Sequence, residues 1–178
     1  MIIILNGLSG CGKSSTGKAL AKALNYPFID LDKQIENTFG SSIADIFKNQ
    51  GENYFRNLEA ESLKEVLTSS HENLVLSLGG GVFKNDNNVN LCLQSGLVVW
   101  LNMNLDIIAA RLKNYKNRPL LQGTTTLKEN LEILMKQRYS NYMKSHIKLD
   151  FDKNYPISHV VKTIIIEINT YNAGKLYE

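Results

Sequence analysis

Three groups of residues in this 178-residue chain have the types and spacing to handle phosphate. The first is Gly7-Leu-Ser-Gly-Cys-Gly-Lys13-Ser14, which fits the pattern G-x-x-x-x-G-K-[ST]. Glycines let backbone N–H groups converge on phosphate oxygens, and a following helix N-terminus adds the positive end of its dipole. Lys13 is expected to reach the β- and γ-phosphates and the Ser14 hydroxyl to ligate Mg²⁺, with Ser9, Gly10, Cys11, Gly12 and Ser15 completing the loop's contacts. The second group is Asp30 and Asp32 in Phe-Ile-Asp-Leu-Asp. On a strand their spacing of two puts both carboxylates on one side. There they either share a metal ion or divide, one serving the metal and the other a substrate. The third group is the triplet Gly79-Gly80-Gly81, where backbone replaces side chains beside a strand end.

Those groups need a frame, and the pattern of apolar runs supplies one. Short strands are expected at Met1–Asn6, Phe28–Asp30, Leu74–Leu78, Leu97–Leu101 and Ile147–Asp150. Helical stretches fall at Lys13–Leu24, Lys33–Phe39, Ile43–Asn49, Glu52–Ser69, Asn87–Gln94 and Leu105–Lys113. Thr126-Leu-Lys-Glu129 is a capping box that opens another helix, running to about Lys144. Ser42 and Asp45 form a weaker version of that box, and Pro156 suits the first turn of a final helix. The polar run 114–126, broken by Pro119 and Gly123, reads as a long loop. Short apolar strands alternating with helices imply a parallel sheet covered on both faces, a three-layer α/β/α domain of five strands. Ligands in such folds gather at the carboxyl ends of strands, where all three groups are expected.

Composition narrows the partners. A net charge of +3 fits an anionic small molecule and argues against nucleic acid. The two cysteines, Cys11 and Cys92, make no CxxC pair, and no apolar run reaches the length of a membrane span. A cytoplasmic, monomeric protein with reduced thiols is the expectation. Of 20 basic residues sixteen are Lys and four are Arg: Arg56, Arg111, Arg118 and Arg138. In a chain that uses Lys so freely, the arginines become candidates for work that needs a planar fork.

Taken in order, GLSGCGKSS, FIDLD, GENYFRNLE, LGGG, RPLL and RYSNY resemble the shikimate kinases, over about residues 5–142. The resemblance implies one P-loop NTPase domain over residues 1–178, with a helical substrate-binding region at 33–62 and a lid at 113–125. It implies ATP-dependent phosphorylation of the shikimate 3-hydroxyl, with shikimate and ATP as small-molecule partners. Arg56 and Arg138 match the arginines that take the substrate carboxylate, and Gly79, Gly80 and Gly81 match a triplet that passes close to the substrate. Arg118 matches a lid arginine on the ATP phosphates. Arg111, with the stretch Asn154–Pro156, matches the adenine pocket. Asp30 is then expected to support the magnesium, and Asp32 to orient the attacking hydroxyl and accept its proton. One departure stands out: the family usually shows Pro-Leu before the tyrosine where this chain has Ser140-Asn141. A gluconate or nucleoside monophosphate kinase of the same fold is the nearest alternative. A non-catalytic nucleotide-binding module would have lost Lys13, Asp32 or Arg118, and all three are present.

Overall fold

The computed structural model describes residues 1–113 and 126–175. Five strands, β1 (Ile2–Asn6), β2 (Phe28–Asp30), β3 (Leu74–Ser77), β4 (Leu97–Met103) and β5 (Ile147–Phe151), form one sheet in the order β2-β3-β1-β4-β5. Every neighbouring pair is parallel. The central strands are fully buried, with Ile3, Ile4, Leu5, Leu76, Val98 and Val99 at the middle of the core. That is why they read as unbroken apolar runs rather than alternating ones.

Among the described residues seven α-helices surround the sheet: α1 (Lys13–Leu24), α2 (Leu31–Phe39), α3 (Ile43–Thr68), α4 (Asp86–Ser95), α5 (Leu105–Leu112), α6 (Leu127–Tyr142) and α7 (Ile157–Lys175). From β1 the chain moves through α1 toward the β2 edge, whereas from β3 it moves through α4 in the opposite direction, toward β4. Right-handed crossovers then place α1 and α4 on opposite faces of the sheet. α7 packs beside α1, and α3 packs on α4. The reversal of direction creates a switch point at the carboxyl ends of β1 and β3, where open α/β sheets bind their ligands.

Two local features shape that region. The expected break between the helical stretches 43–49 and 52–69 is present as a kink: α3 runs through Gly51 at φ 85°, ψ 170°, a conformation essentially confined to glycine. The capping box at Thr126 and Glu129 is complete, and its backbone hydrogen bond holds the Glu129 carboxyl below the usual carboxylate range. At Ser42 the side chain accepts from the Asp45 N–H while its own hydroxyl donates to the Asp45 carboxylate at 2.6 Å. Among the described residues no helix is long and apolar enough to cross a membrane.

Candidate active site

The phosphate loop leaves β1 and enters α1 with Gly7, Gly10 and Gly12 all at positive φ. Gly12 caps α1 at φ 102°, so any side chain there would be strained. The loop is braced from within: Lys13 Nζ donates to the Gly7 and Leu8 carbonyls at 2.9 Å each, and lies 3.8 Å from Cys11 Sγ. Lys13 is only 6% exposed and Cys11 2%, so the cysteine contributes backbone and its thiol faces inward. A cavity of about 490 Å³ opens over the loop, lined by residues Ser9 to Thr16, by Arg111 and by Tyr155 and Ile157. Arg111 reaches from α5 to the Cys11 carbonyl at 3.2 Å and to the Asn154 side chain, tying the loop to the segment before α7. The resemblance places Pro156 in this wall. It is exposed and does not line the cavity; its carbonyl instead accepts the His159 and Val160 N–H groups that start α7, and the aromatic Tyr155 takes its place.

A second cavity, of about 460 Å³, adjoins the first, and Ser9, Ser14, Asp32 and Gly80 line both. Its other walls come from α2, both halves of α3, the glycine triplet and α6, with Asp30, Phe47, Arg56, Gly81 and Arg138 among them. The aspartate pair sits differently from the strand-based expectation. β2 stops at Asp30, whose side chain caps α2 by accepting from the Lys33 N–H at 3.3 Å, and Asp32 lies in the first turn of that helix. A carboxylate is favoured at both places, as a cap and beside the dipole's positive end, so the helix starts two residues earlier than its apolar pattern suggests. Both aspartates still face the second cavity.

Arg56 is held on every side. It donates to Glu59 at 2.7 Å and to Glu52 at 3.4 Å, and its guanidinium lies 5.1 Å and 5.9 Å from the centroids of Phe55 and Phe47. Helical partners for Arg56 and a place in the cavity thus hold together. Glu59 is 1% exposed, and burial pushes its carboxyl above the usual range, with Arg56 pulling it down and Asp32 adding to the rise. Its position three residues after Arg56 was a readable helical signal. Arg138, 4% exposed, donates through Nη1 to the Gly80 carbonyl at 2.7 Å, while its buried Nε has no partner among the described residues. The glycine triplet is tight because site side chains press on it. A Cβ on Gly81 would come within 2.5 Å of Arg56, and one on Gly80 within 2.6 Å of the Ser9 hydroxyl.

This arrangement joins a phosphate cradle to a chamber lined by two arginines and several carboxylates, Asp32 on the wall common to both. Residues 9–169 match the family described as shikimate kinase. The chain belongs to that family. A shikimate kinase from Sulfurihydrogenibium sp. (strain YO3AOP1) is 42% identical over 166 residues, covering 93% of this chain and 96% of that protein. The solved shikimate kinase from Acinetobacter baumannii in complex with shikimate has a TM-score of 0.88 at 32% identity, covering 95% of this chain and 93% of that one. The shikimate kinase structure from Aquifex aeolicus gives 0.81 at 32% identity, with 98% and 99% covered.

Set against the residues expected from the shikimate kinase motifs, Ser9 to Ser15 and Arg111 gather on the first cavity, and Asp30, Arg56, Gly79, Gly81 and Arg138 on the second. Asp32 and Gly80 stand between them. Arg118 and the expected lid beyond residue 113 lie outside the described residues. The motif GENYFRNLE already contains Glu52 and Glu59, and the stretch Asn154–Pro156 contains Asn154 and Tyr155. The structure adds that both glutamates hold Arg56, that Asn154 meets Arg111, and that Tyr155 lines the first cavity.

Proposed function

We propose that this chain transfers the γ-phosphoryl group of ATP to the 3-hydroxyl of shikimate, giving shikimate 3-phosphate and ADP. The observation that carries this reading is the second cavity. Arg56 and Arg138 both line it, it holds Asp32, and it opens onto the phosphate loop. A planar carboxylate is the natural occupant for two guanidinium groups. The buried Arg138 Nε is an N–H donor with no partner among the described residues, and an incoming carboxylate oxygen would satisfy it.

In the proposed reaction the loop's N–H groups and Lys13 take the phosphates, while Arg56 and Arg138 fix the acid end of the acceptor. Asp32, on the wall common to both cavities, orients the attacking hydroxyl and accepts its proton. Because phosphoryl transfer passes through a loose transition state, position and charge neutralisation matter more than a strong base. Arg118 adds charge stabilisation as part of a lid over 113–125, and closure excludes water so that the acceptor is phosphorylated in preference to hydrolysis. Residues 33–62 serve as the substrate-binding region of a single domain.

The residues fit Mg²⁺. Ser14, Asp30 and Asp32 line one cavity, and among the described residues no group of three or more His, Cys, Asp or Glu side chains is placed to hold a metal. Few protein ligands suit an ion that keeps several waters and takes its remaining oxygens from phosphates. Ser14 and, through water, Asp30 would hold it; when bound, it neutralises charge on the β- and γ-phosphate oxygens. We read the protein as a cytoplasmic monomer.

The test is ADP release measured with ATP·Mg²⁺ and shikimate, gluconate, AMP or no acceptor. Release that depends on shikimate is expected. Equal release in all four reactions overturns the proposal.

A further inference from the structure

Every carbonyl from Gly79 to Phe83 has a hydrogen-bond partner, and the partners divide into two kinds. The carbonyls of Gly79, Gly81 and Val82 are taken locally, by the N–H groups of Val82, Lys84 and Asn85 in the single 3-10 turn that follows the triplet. The carbonyls of Gly80 and Phe83 depend on side chains from α6, 58 to 62 residues away in the chain. Gly80 O accepts from Arg138 Nη1 at 2.7 Å and from the Tyr142 hydroxyl at 3.0 Å, and Phe83 O accepts from Asn141 Nδ2 at 2.9 Å.

Tyr142 is fully buried against Trp100 and Phe83, with ring centroids 5.4 Å and 6.2 Å away. Burial pushes its hydroxyl up to about 12, with Arg138 pulling the other way, so it remains a donor at any ordinary pH. A carbonyl has two lone pairs, and Gly80 uses one for Tyr142 and one for Arg138. One terminal nitrogen of Arg138 is thereby committed to the backbone and the guanidinium plane is fixed. Nε, the unpartnered group, stays aimed away from that anchor.

We propose that Tyr142 and Asn141 are positioning residues for substrate recognition. They clasp the Gly80–Phe83 turn onto α6, Asn141 through the Phe83 carbonyl and Tyr142 through the Gly80 carbonyl, and by sharing that second carbonyl Tyr142 orients Arg138 toward the acceptor's carboxylate. The proposal rests on the shikimate kinase reading given above.

Two measurements on Tyr142→Phe and Asn141→Leu test it. The first is amide hydrogen exchange in the ligand-free protein. Faster exchange at Val82, Lys84 and Asn85, with the phosphate loop unchanged, is expected. The second is steady-state kinetics. Tyr142→Phe should raise the shikimate KM roughly 10-fold, the scale of one lost buried hydrogen bond, while the ATP KM stays within about twofold on the same scale. If the tyrosine acts through Arg138, the Arg138→Lys single variant and the Arg138→Lys/Tyr142→Phe double variant will share one shikimate KM. A tyrosine that only stabilises the fold would lower Tm but leave the two KM values in their original ratio, and that outcome overturns the proposal. Unchanged exchange at the turn in both variants also overturns it. If the wild-type protein ignores shikimate, the functional reading fails, and exchange alone then decides the clasp.

Discussion

The two cavities are built on different principles. The first cavity is built chiefly on one contiguous loop, the eight residues Ser9 to Thr16, shaped by glycines at positive φ and by Lys13 on the loop's own carbonyls. The second cavity is made largely by side chains from separate stretches of chain, Arg56 held by the Glu59 carboxylate and Arg138 by the Gly80 carbonyl. A backbone site is robust to most substitutions and fails only at a glycine or the lysine. A side-chain site fails one residue at a time, and each failure falls on the acceptor rather than on ATP.

Substitutions can break that contrast. Lys13→Met should cost on the order of 10³ in kcat, as for loss of a group that stabilises transition-state charge. A mild effect would mean the loop backbone suffices alone. Asp32→Asn should lower kcat by about 10² or more, the usual scale for positioned acid–base groups, while calorimetric ATP affinity is spared. Loss of ATP affinity instead would move Asp32 to the nucleotide side. Arg56→Lys keeps the charge but loses the fork, and should raise the shikimate KM by about 10- to 100-fold, the range for a hydrogen bond to a charged group. An unchanged KM would remove Arg56 from the chamber.

Smaller effects sharpen the contrast. A Cβ at Gly51 would meet nothing within 4 Å, so Gly51→Ala isolates backbone strain. It should lower unfolding stability by about 1–3 kcal/mol in chemical denaturation and disturb shikimate binding before ATP binding. Glu59 gives the smallest effect. Burial raises its folded pKa above the ordinary 4.5, so the folded state keeps a proton that the unfolded chain releases. Its ionisation cost is absent below the unfolded pKa and grows as pH rises toward the raised folded value. Thermal melts across about pH 4 to 7 should therefore show Glu59→Gln gaining on the wild type as pH rises. A flat difference would show that Arg56 fully offsets the burial.

The same contrast explains what could be read from residues alone. The phosphate loop is contiguous, so spacing and glycine content disclosed it, and the apolar runs disclosed all five strands and their parallel sense. Arg56 and Arg138 were legible through a resemblance and through the scarcity of arginine, but their holders were not singled out. Glu59 stands three residues after Arg56, a spacing that allows a helical ion pair, and its burial then sets it apart from the other glutamates of that helix. Strand periodicity carried two residues past Asp30, to Asp32, misplaces the aspartate pair, because the capping preference of the Asp30 side chain turns the chain into α2. Asn154 and Tyr155 follow no period and were legible only through the resemblance, as part of the stretch Asn154–Pro156; the structure adds that Asn154 meets Arg111 and that Tyr155 lines the cavity.

Lys13 has a consequence for which anions the loop retains. Its ammonium group already has two neutral oxygen partners, the Gly7 and Leu8 carbonyls. An arriving anion therefore gains only the difference between its own hold on that nitrogen and the hold it displaces. A singly charged oxyanion profits little from the exchange, whereas a polyphosphate chain with several negative oxygens profits much more. The loop thus sets a threshold before it offers affinity, discriminating among anions by charge density without any added side chain.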